Sequence, residues 1–326
     1  MHSTEITPPV AFDRRSWLRA TAAGLAGLGT VAGRARATGP GPQGSARPAG
    51  KGEATRFQIA CMTLPYSRFP LARALAGIQG AGYGYVAWGT SHRDGARDEP
   101  VLSPDAPPGR AKELGMRCRD LGLEPLMMFS GVYPEADAAP AVLRARILQA
   151  EAAGVPQVLT FGHTKGGHRK LWVERFRALG PFARDHGVTV VIKQHGGETG
   201  TGAACAAIVR EVGDEGVKVN YDAGNVMDYL DVDPISDIQG CAGEIRSLCI
   251  KDHRNFPKDQ DCGPGFGEID HYRLLHPVAS TGRTMPLCCE NISAPLLPAP
   301  ETAADVDVLA RRAREFLEVV IRGLQA

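Results

Sequence analysis

The sequence lacks the surplus of one charge that marks a nucleic-acid-binding protein. It has 37 Lys and Arg against 36 Asp and Glu, a formal net charge of +1, so no basic footprint is present to hold a phosphate backbone. It lacks any run of about 18 uncharged apolar residues, which predicts no stable membrane anchor. Aromatic residues are scarce, at 6%, and eight cysteines in 326 residues are too few for a disulfide scaffold. A glycine fingerprint for a dinucleotide is missing after the first predicted strand, where the chain reads Cys61-Met62-Thr63-Leu64-Pro65. What remains is 43% hydrophobic and 22% charged residues, an ordinary globular composition for one large domain or two small ones.

The N-terminus carries Asp13-Arg14-Arg15-Ser16-Trp17-Leu18-Arg19, an uncharged stretch from Ala20 to Gly33, and Ala35-Arg36-Ala37. A basic start, a short apolar middle and a small-x-small end predict a signal peptide over 1–37. The paired arginines resemble a twin-arginine export signal. That resemblance implies the twin-arginine machinery as a partner, cleavage near Ala37, a periplasmic location and folding before export. Cleavage removes Arg14, Arg15, Arg19, Arg34 and Arg36 with Glu5 and Asp13, which turns the formal charge to −2. Residues 38–55 are rich in Pro and Gly and read as a tether. The folded domain is expected over 56–326.

From Phe57 onward, short β-rich runs alternate with amphipathic ones. Strands are predicted over 57–62, 83–88, 123–129, 156–161, 188–193, 217–222, 245–250 and 285–290. Helices are predicted over 70–81, 109–121, 138–153, 169–186, 201–212, 234–242, 269–281 and 302–324. Gly82, Gly122, Gly154 and Gly187 stand where helices should stop. Strict β-then-α order implies parallel strands with right-handed crossovers, and eight such units predict a single-domain (β/α)8 barrel. Function in such a barrel belongs at the C-terminal strand ends.

Side chains two apart on a strand share a face. Strand five thereby pairs Lys193 with His195, and strand six Asn220 with Asp222. Strand seven aligns Cys249, Lys251 and His253, and strand eight Cys288 with Glu290. Four consecutive strands aim titratable groups at one mouth. Trp88 ends strand two and is a candidate to stack on a sugar face. His163 follows strand four in a glycine-rich loop and is a candidate ligand-binding residue. The stretches from Thr90 to Pro108 and from Arg254 to Gly267 are long and rich in Gly and Pro, and are candidates for a lid.

The runs YDAGN (221–225), CIKDH (249–253), GFGEID (265–270) and CCENI (288–292) resemble the xylose isomerase-like barrel superfamily over residues 56–322. The resemblance implies a sugar isomerase or epimerase, and a divalent metal held by Glu, Asp, His and Glu at the ends of strands five to eight. Asp222 and Glu290 match that set, and Asn225 stands where the family often has His or Asn. Lys193-Gln194-His195 replaces the family's Glu-Asn-His, and Cys249-Ile250-Lys251-Asp252 replaces its His-x-Lys-Asp. One reading rebuilds the site from His195, Asp222, His253 and Glu290, an N2O2 set suited to Zn, Mn or Fe. It requires the loops to bend back, because two residues span about 6–7 Å along a strand. A second reading drops the metal and pairs the Lys193 ammonium with Asp222 or Glu290.

Isomerisation next to a carbonyl needs a base and an oxyanion holder. Glu290 and Asp222 are the candidate proton carriers. Lys251, His195, His253 or a metal are candidates for the oxyanion. A lyase on a keto sugar would begin with the same proton removal. A Schiff-base enzyme would use Lys193 with a depressed pKa. A non-catalytic sugar-binding barrel with a degenerate metal site is the reading of another class. A small-molecule sugar is the partner in every case.

Overall fold

The structure, a computed structural model, describes residues 52–326. The expected export signal over 1–37 and most of the tether over 38–55 lie outside the described residues. Thr55, the last tether residue, is buried, with its N–H donating to Ala279 O (2.9 Å) and its hydroxyl to Val278 O (2.5 Å). The packed chain therefore includes the end of that segment.

Eight parallel strands close into a barrel in sequence order. They are β1 (Arg56–Met62), β2 (Tyr85–Trp88), β3 (Glu124–Phe129), β4 (Gln157–Thr160), β5 (Thr189–Lys193), β6 (Val217–Asp222), β7 (Ile245–Ile250) and β8 (Thr284–Cys289). β1 pairs with β2 on one side and β8 on the other. Helices α1 (Leu71–Gly80), α2 (Pro108–Asp120), α3 (Ala139–Ala153), α4 (Arg169–Asp185) and α5 (Gly202–Val212) fill the crossovers up to β6. α6 (Ala223–Leu230), α7 (Pro234–Asp237), α8 (His271–Leu275) and α9 (Ala303–Gln325) follow. Gly82, Gly122, Gly154 and Gly187 all have φ between 66° and 89°, a left-handed stop that only glycine reaches cheaply. The (β/α)8 prediction holds.

Three stretches differ from expectation. α6 starts directly at the end of β6, because Asp222 itself caps it by accepting the Asn225 N–H (3.0 Å). The helix predicted over 234–242 is α7 followed by 3-10 turns at Ile238–Gly240 and Ala242–Glu244. The one predicted over 269–281 stops after α8, where Pro277 permits only a 3-10 turn, His276–Val278. The two candidate lids each hold an antiparallel hairpin, Ser91–Asp94 with Arg97–Pro100 and Asp252–Arg254 with Gln260–Cys262.

Strand alternation sorts side chains into two layers. Ala60, Met62, Ala87, Met127, Leu159, Val191, Cys249 and Cys288 fill the barrel interior. Cys61, Val86, Trp88, Met128, Val158, Val190, Ile192, Val219 and Tyr221 pack outward against the helices. Trp88 is therefore buried in the helix layer, at 1% exposure, which removes it from the substrate-facing set. β2 alternates without interruption, with Ala87 inward between the outward Val86 and Trp88, and the register irregularity beside it lies in β3, where Leu126 is the extra residue.

α9 clasps the two ends of the barrel. Thr302 and Asp305 form a capping box at its start. Asp307 accepts from the Tyr66 hydroxyl (2.9 Å) and pairs with Arg73 (2.5 Å). The Ala310 carbonyl accepts from the Tyr83 hydroxyl (2.8 Å), and Gln325 donates to Thr55 O (3.1 Å).

Candidate active site

Each interior column of the last four strands ends in a charged residue. Lys193 follows Val191, Asp222 follows Asn220, Lys251 follows Cys249 and Glu290 follows Cys288. Lys193 lies opposite Asn220 in the β5–β6 register, and Asp222 opposite Cys249 in β6–β7. The Glu290 N–H continues the β7–β8 pairing onto Ile250 O (2.8 Å). Parallel register thus sets the four groups side by side at the C-terminal mouth.

They form a compact ion cluster. Lys193 Nζ donates to Glu290 Oε1 at 2.6 Å and lies 3.2 Å from Asp222 Oδ2. Lys251 Nζ lies 3.4 Å from Glu290 Oε2, 3.7 Å from Asp222 Oδ2 and 3.0 Å from Asp261 Oδ2, and it donates to Asn225 Oδ1. The Lys251 stem crosses Gly224, where an added Cβ would lie 2.7 Å from its Cγ. Gln194 clamps β5 to β6, accepting from the Asp222 N–H (2.7 Å) and from Asn225 Nδ2 (2.6 Å, through its backbone carbonyl).

The electrostatics follow from burial and pairing. Burial alone would lower the Lys193 pKa, but Glu290 and Asp222 outweigh it and the pKa is raised. Lys251 is raised for the same reason, by Asp222, Glu290 and Asp261. A Schiff base requires a neutral amine, so the depressed Lys193 pKa expected for that route is corrected here. Burial pushes the Asp222 carboxyl up to about 6 against the pull of Lys251 and Lys193. Burial acts the same way on Glu290, yet Lys193 and Lys251 hold it below the usual carboxylate range.

A cavity of about 420 Å³ opens over this cluster, within the range of small-molecule sites. Lys193, His195, Asn225, Lys251, Asp261 and Glu290 line it. Asp222 is fully buried beneath the lysines and is not among the lining residues. His163 also lies outside the lining, stacked on Tyr133 with ring centroids 3.9 Å apart.

Neither candidate histidine joins Asp222 and Glu290. β5 ends at Lys193 and the chain turns at Gly196 (φ 75°). His195 Nδ1 instead meets the Gly162 carbonyl at 2.8 Å, with the ring against Phe161 (4.4 Å) and Tyr229 (5.4 Å). His253 leaves the barrel on the second hairpin, 3.1 Å from Asp261 and 3.3 Å from Asp259. The N2O2 set is therefore not assembled. Among the described residues two groups bring potential ligand atoms within 4.8 Å, namely Asp222, Cys249 and Glu290, and Asp228, His253 and Asp261. In the first, burial holds the Cys249 thiol well above its ordinary pKa, whereas a metal takes the thiolate. Asp261 is the site residue that sequence reasoning missed, because it enters through a polar hairpin read as a loop.

Burial depresses the His195 pKa from 6.5 to about 4. The unfolded ring takes up its proton first, so this contribution to stability is present above pH 6.5 and lost as pH falls towards 4. The slope is at most about 1.4 kcal/mol per pH unit. Urea unfolding of His195→Gln should show a flatter stability profile over that window. An unchanged slope would assign it to other groups.

A sequence model described as "Xylose isomerase-like TIM barrel" matches residues 75–312. No curated protein matches the chain. Several solved structures share the fold. An L-ribulose 3-epimerase is 19% identical with a TM-score of 0.63, over 82% of this chain and 95% of the epimerase. A xylose isomerase-like TIM barrel protein from Mycobacterium smegmatis, in complex with magnesium, is 18% identical with a TM-score of 0.64, over 82% of this chain and 98% of that one. The protein IOLI, with a bound zinc atom, is 16% identical with a TM-score of 0.66, over 82% and 99%.

Proposed function

The chain belongs to the xylose isomerase-like TIM barrel family, and on that premise we propose that it is a sugar isomerase or epimerase. It moves a proton next to the carbonyl of a small sugar or sugar derivative. The observation that carries this reading is the cluster of two carboxylates and two ammonium groups on the floor of the mouth cavity. The L-ribulose 3-epimerase of the same fold supports it.

Glu290 lines the cavity and is the base that meets substrate. In the free protein its lysine partners keep it a weak base. A substrate oxygen seated between Lys193 and Lys251 turns these cations away from Glu290, so its basicity rises as the oxyanion they stabilise develops. Asp222 acts through the lysines and is a positioning residue. Asn225 and Asp261 fix the Lys251 ammonium.

The family's divalent metal does not fit between Asp222 and Glu290, because Lys193 Nζ already contacts both carboxylates. Export by the twin-arginine route belongs to the same proposal and rests on residues 14–37. A reporter fused behind residues 1–37 should reach the periplasm, and Arg14→Lys with Arg15→Lys should hold it in the cytoplasm.

The reaction is tested by NMR in deuterated water with D-fructose, D-psicose and L-ribulose as probes. Deuterium should enter at the carbon next to the carbonyl, with the isomer or epimer appearing alongside. A rise in melting temperature with a sugar but no exchange would favour the non-catalytic binding barrel.

A further inference from the structure

The misfit of the metal is specific. An ion bound by Asp222 and Glu290 would sit about 2.0–2.2 Å from their oxygens. Lys193 Nζ lies 3.2 Å and 2.6 Å from those same oxygens, itself buried at 3% exposure. The space the ion needs is the space the ammonium fills. Lys251 approaches both carboxylates from the adjoining strand, at 3.7 and 3.4 Å.

Lys251 stands at the lysine of the family's own His-x-Lys-Asp run, so Lys193 is the cation that this chain adds to the two carboxylates. Asp222 Oδ2 and Glu290 Oε2 are buried without a hydrogen bond of good geometry, so proximity of charge is what compensates them. The two substitutions that remove family ligands act together. Lys193 brings a cation where a carboxylate would stand, and Cys249 replaces an imidazole with a thiol that burial keeps neutral.

We propose that the Lys193 ammonium, held in place by its own chain, occupies the position of the divalent metal in this barrel, with Lys251 beside it. The replacement lies in the floor of the site and is the same whichever sugar reaction takes place above it. A tethered ammonium is neither chelated nor exchanged. Unlike a metal ion, each ammonium also carries protons that a substrate oxygen can accept.

The experiment reads metal binding and melting temperature, so its result is independent of turnover. The chain is stripped with EDTA and titrated with Mn²⁺ or Zn²⁺, beside Asp222→Asn as control. The wild type should keep its melting temperature after EDTA and show no metal-dependent rise that Asp222→Asn removes. The double variant Lys193→Glu/Cys249→His should take up about one Mn²⁺ per chain, with a melting temperature that climbs with Mn²⁺ concentration. Asp222→Asn in that background should abolish the climb. Where the double variant does not fold, Lys193→Gln decides, since it removes the cation at similar size. A Mn²⁺-dependent rise in that variant supports the proposal and its absence overturns it. A rise in the wild type that Asp222→Asn removes overturns it too, as does a folded double variant indifferent to Mn²⁺.

Discussion

Glu290→Gln should cut the rate of proton exchange from a keto sugar by about 10²–10⁴-fold, the usual share of a general base. The amide keeps the shape of the side chain and can still accept from Lys193, which lies 2.6 Å from Oε1. Lys193 retains Asp222 at 3.2 Å, so the folded barrel is expected to survive. The loss should therefore fall on kcat, with KM changed little, because the interaction removed acts on the departing proton rather than on the bound sugar. An exchange rate within threefold of wild type would remove Glu290 from the chemistry.

Lys193→Met should destabilise the barrel by about 3–5 kcal/mol at neutral pH, the cost of breaking one partner out of a buried ion pair. Glu290 Oε1 and Asp222 Oδ2 both lose their nearest cation, and Lys251 at 3.4 and 3.7 Å is left with both carboxylates and Asp261. The sign with pH is a second check. Without Lys193 the folded carboxylates hold protons more tightly than the unfolded ones do, so the deficit is full at neutral pH and shrinks as pH falls. Adding Glu290→Gln to Lys193→Met should recover much of the loss. Urea midpoints across pH measure both effects. A deficit that persists unchanged into acid would mean that lost packing, rather than exposed charge, is responsible.

The strands and the barrel were legible because each strand is a short apolar run, four of them set off from the preceding helix by a glycine stop, and the eight follow one another in pairing order. The floor of the site was legible for the same reason. Period-two alternation places Lys193, Asp222, Lys251 and Glu290 on the inner face whatever the loops do. What failed lies beyond the strand ends. His195 and His253 are in phase with inner residues, yet their strands stop at Lys193 and Ile250, and phase no longer predicts direction once pairing ends. Trp88 failed because ending a strand does not make a residue face the mouth: it shares parity with the outward Val86 in an evenly alternating strand. Asp261 was hidden because the hairpin that carries it has the polar composition of a loop, and its pairing with residues 252–254 leaves no apolar period.

The closure of the barrel has a consequence for the newborn chain. β1 finds its second neighbour only in β8, 228 residues later at the Arg56–Thr284 contact. At about 5–20 residues per second, that partner leaves the ribosome roughly 10–45 s after β1 does. During this interval one edge of β1 offers unpaired N–H and carbonyl groups to any strand nearby. The clasp from α9 to Tyr66, Arg73, Tyr83 and Thr55 comes later still. Most of synthesis thus passes before a mouth exists, and in that time the growing chain is a natural client for chaperones that shield open strand edges.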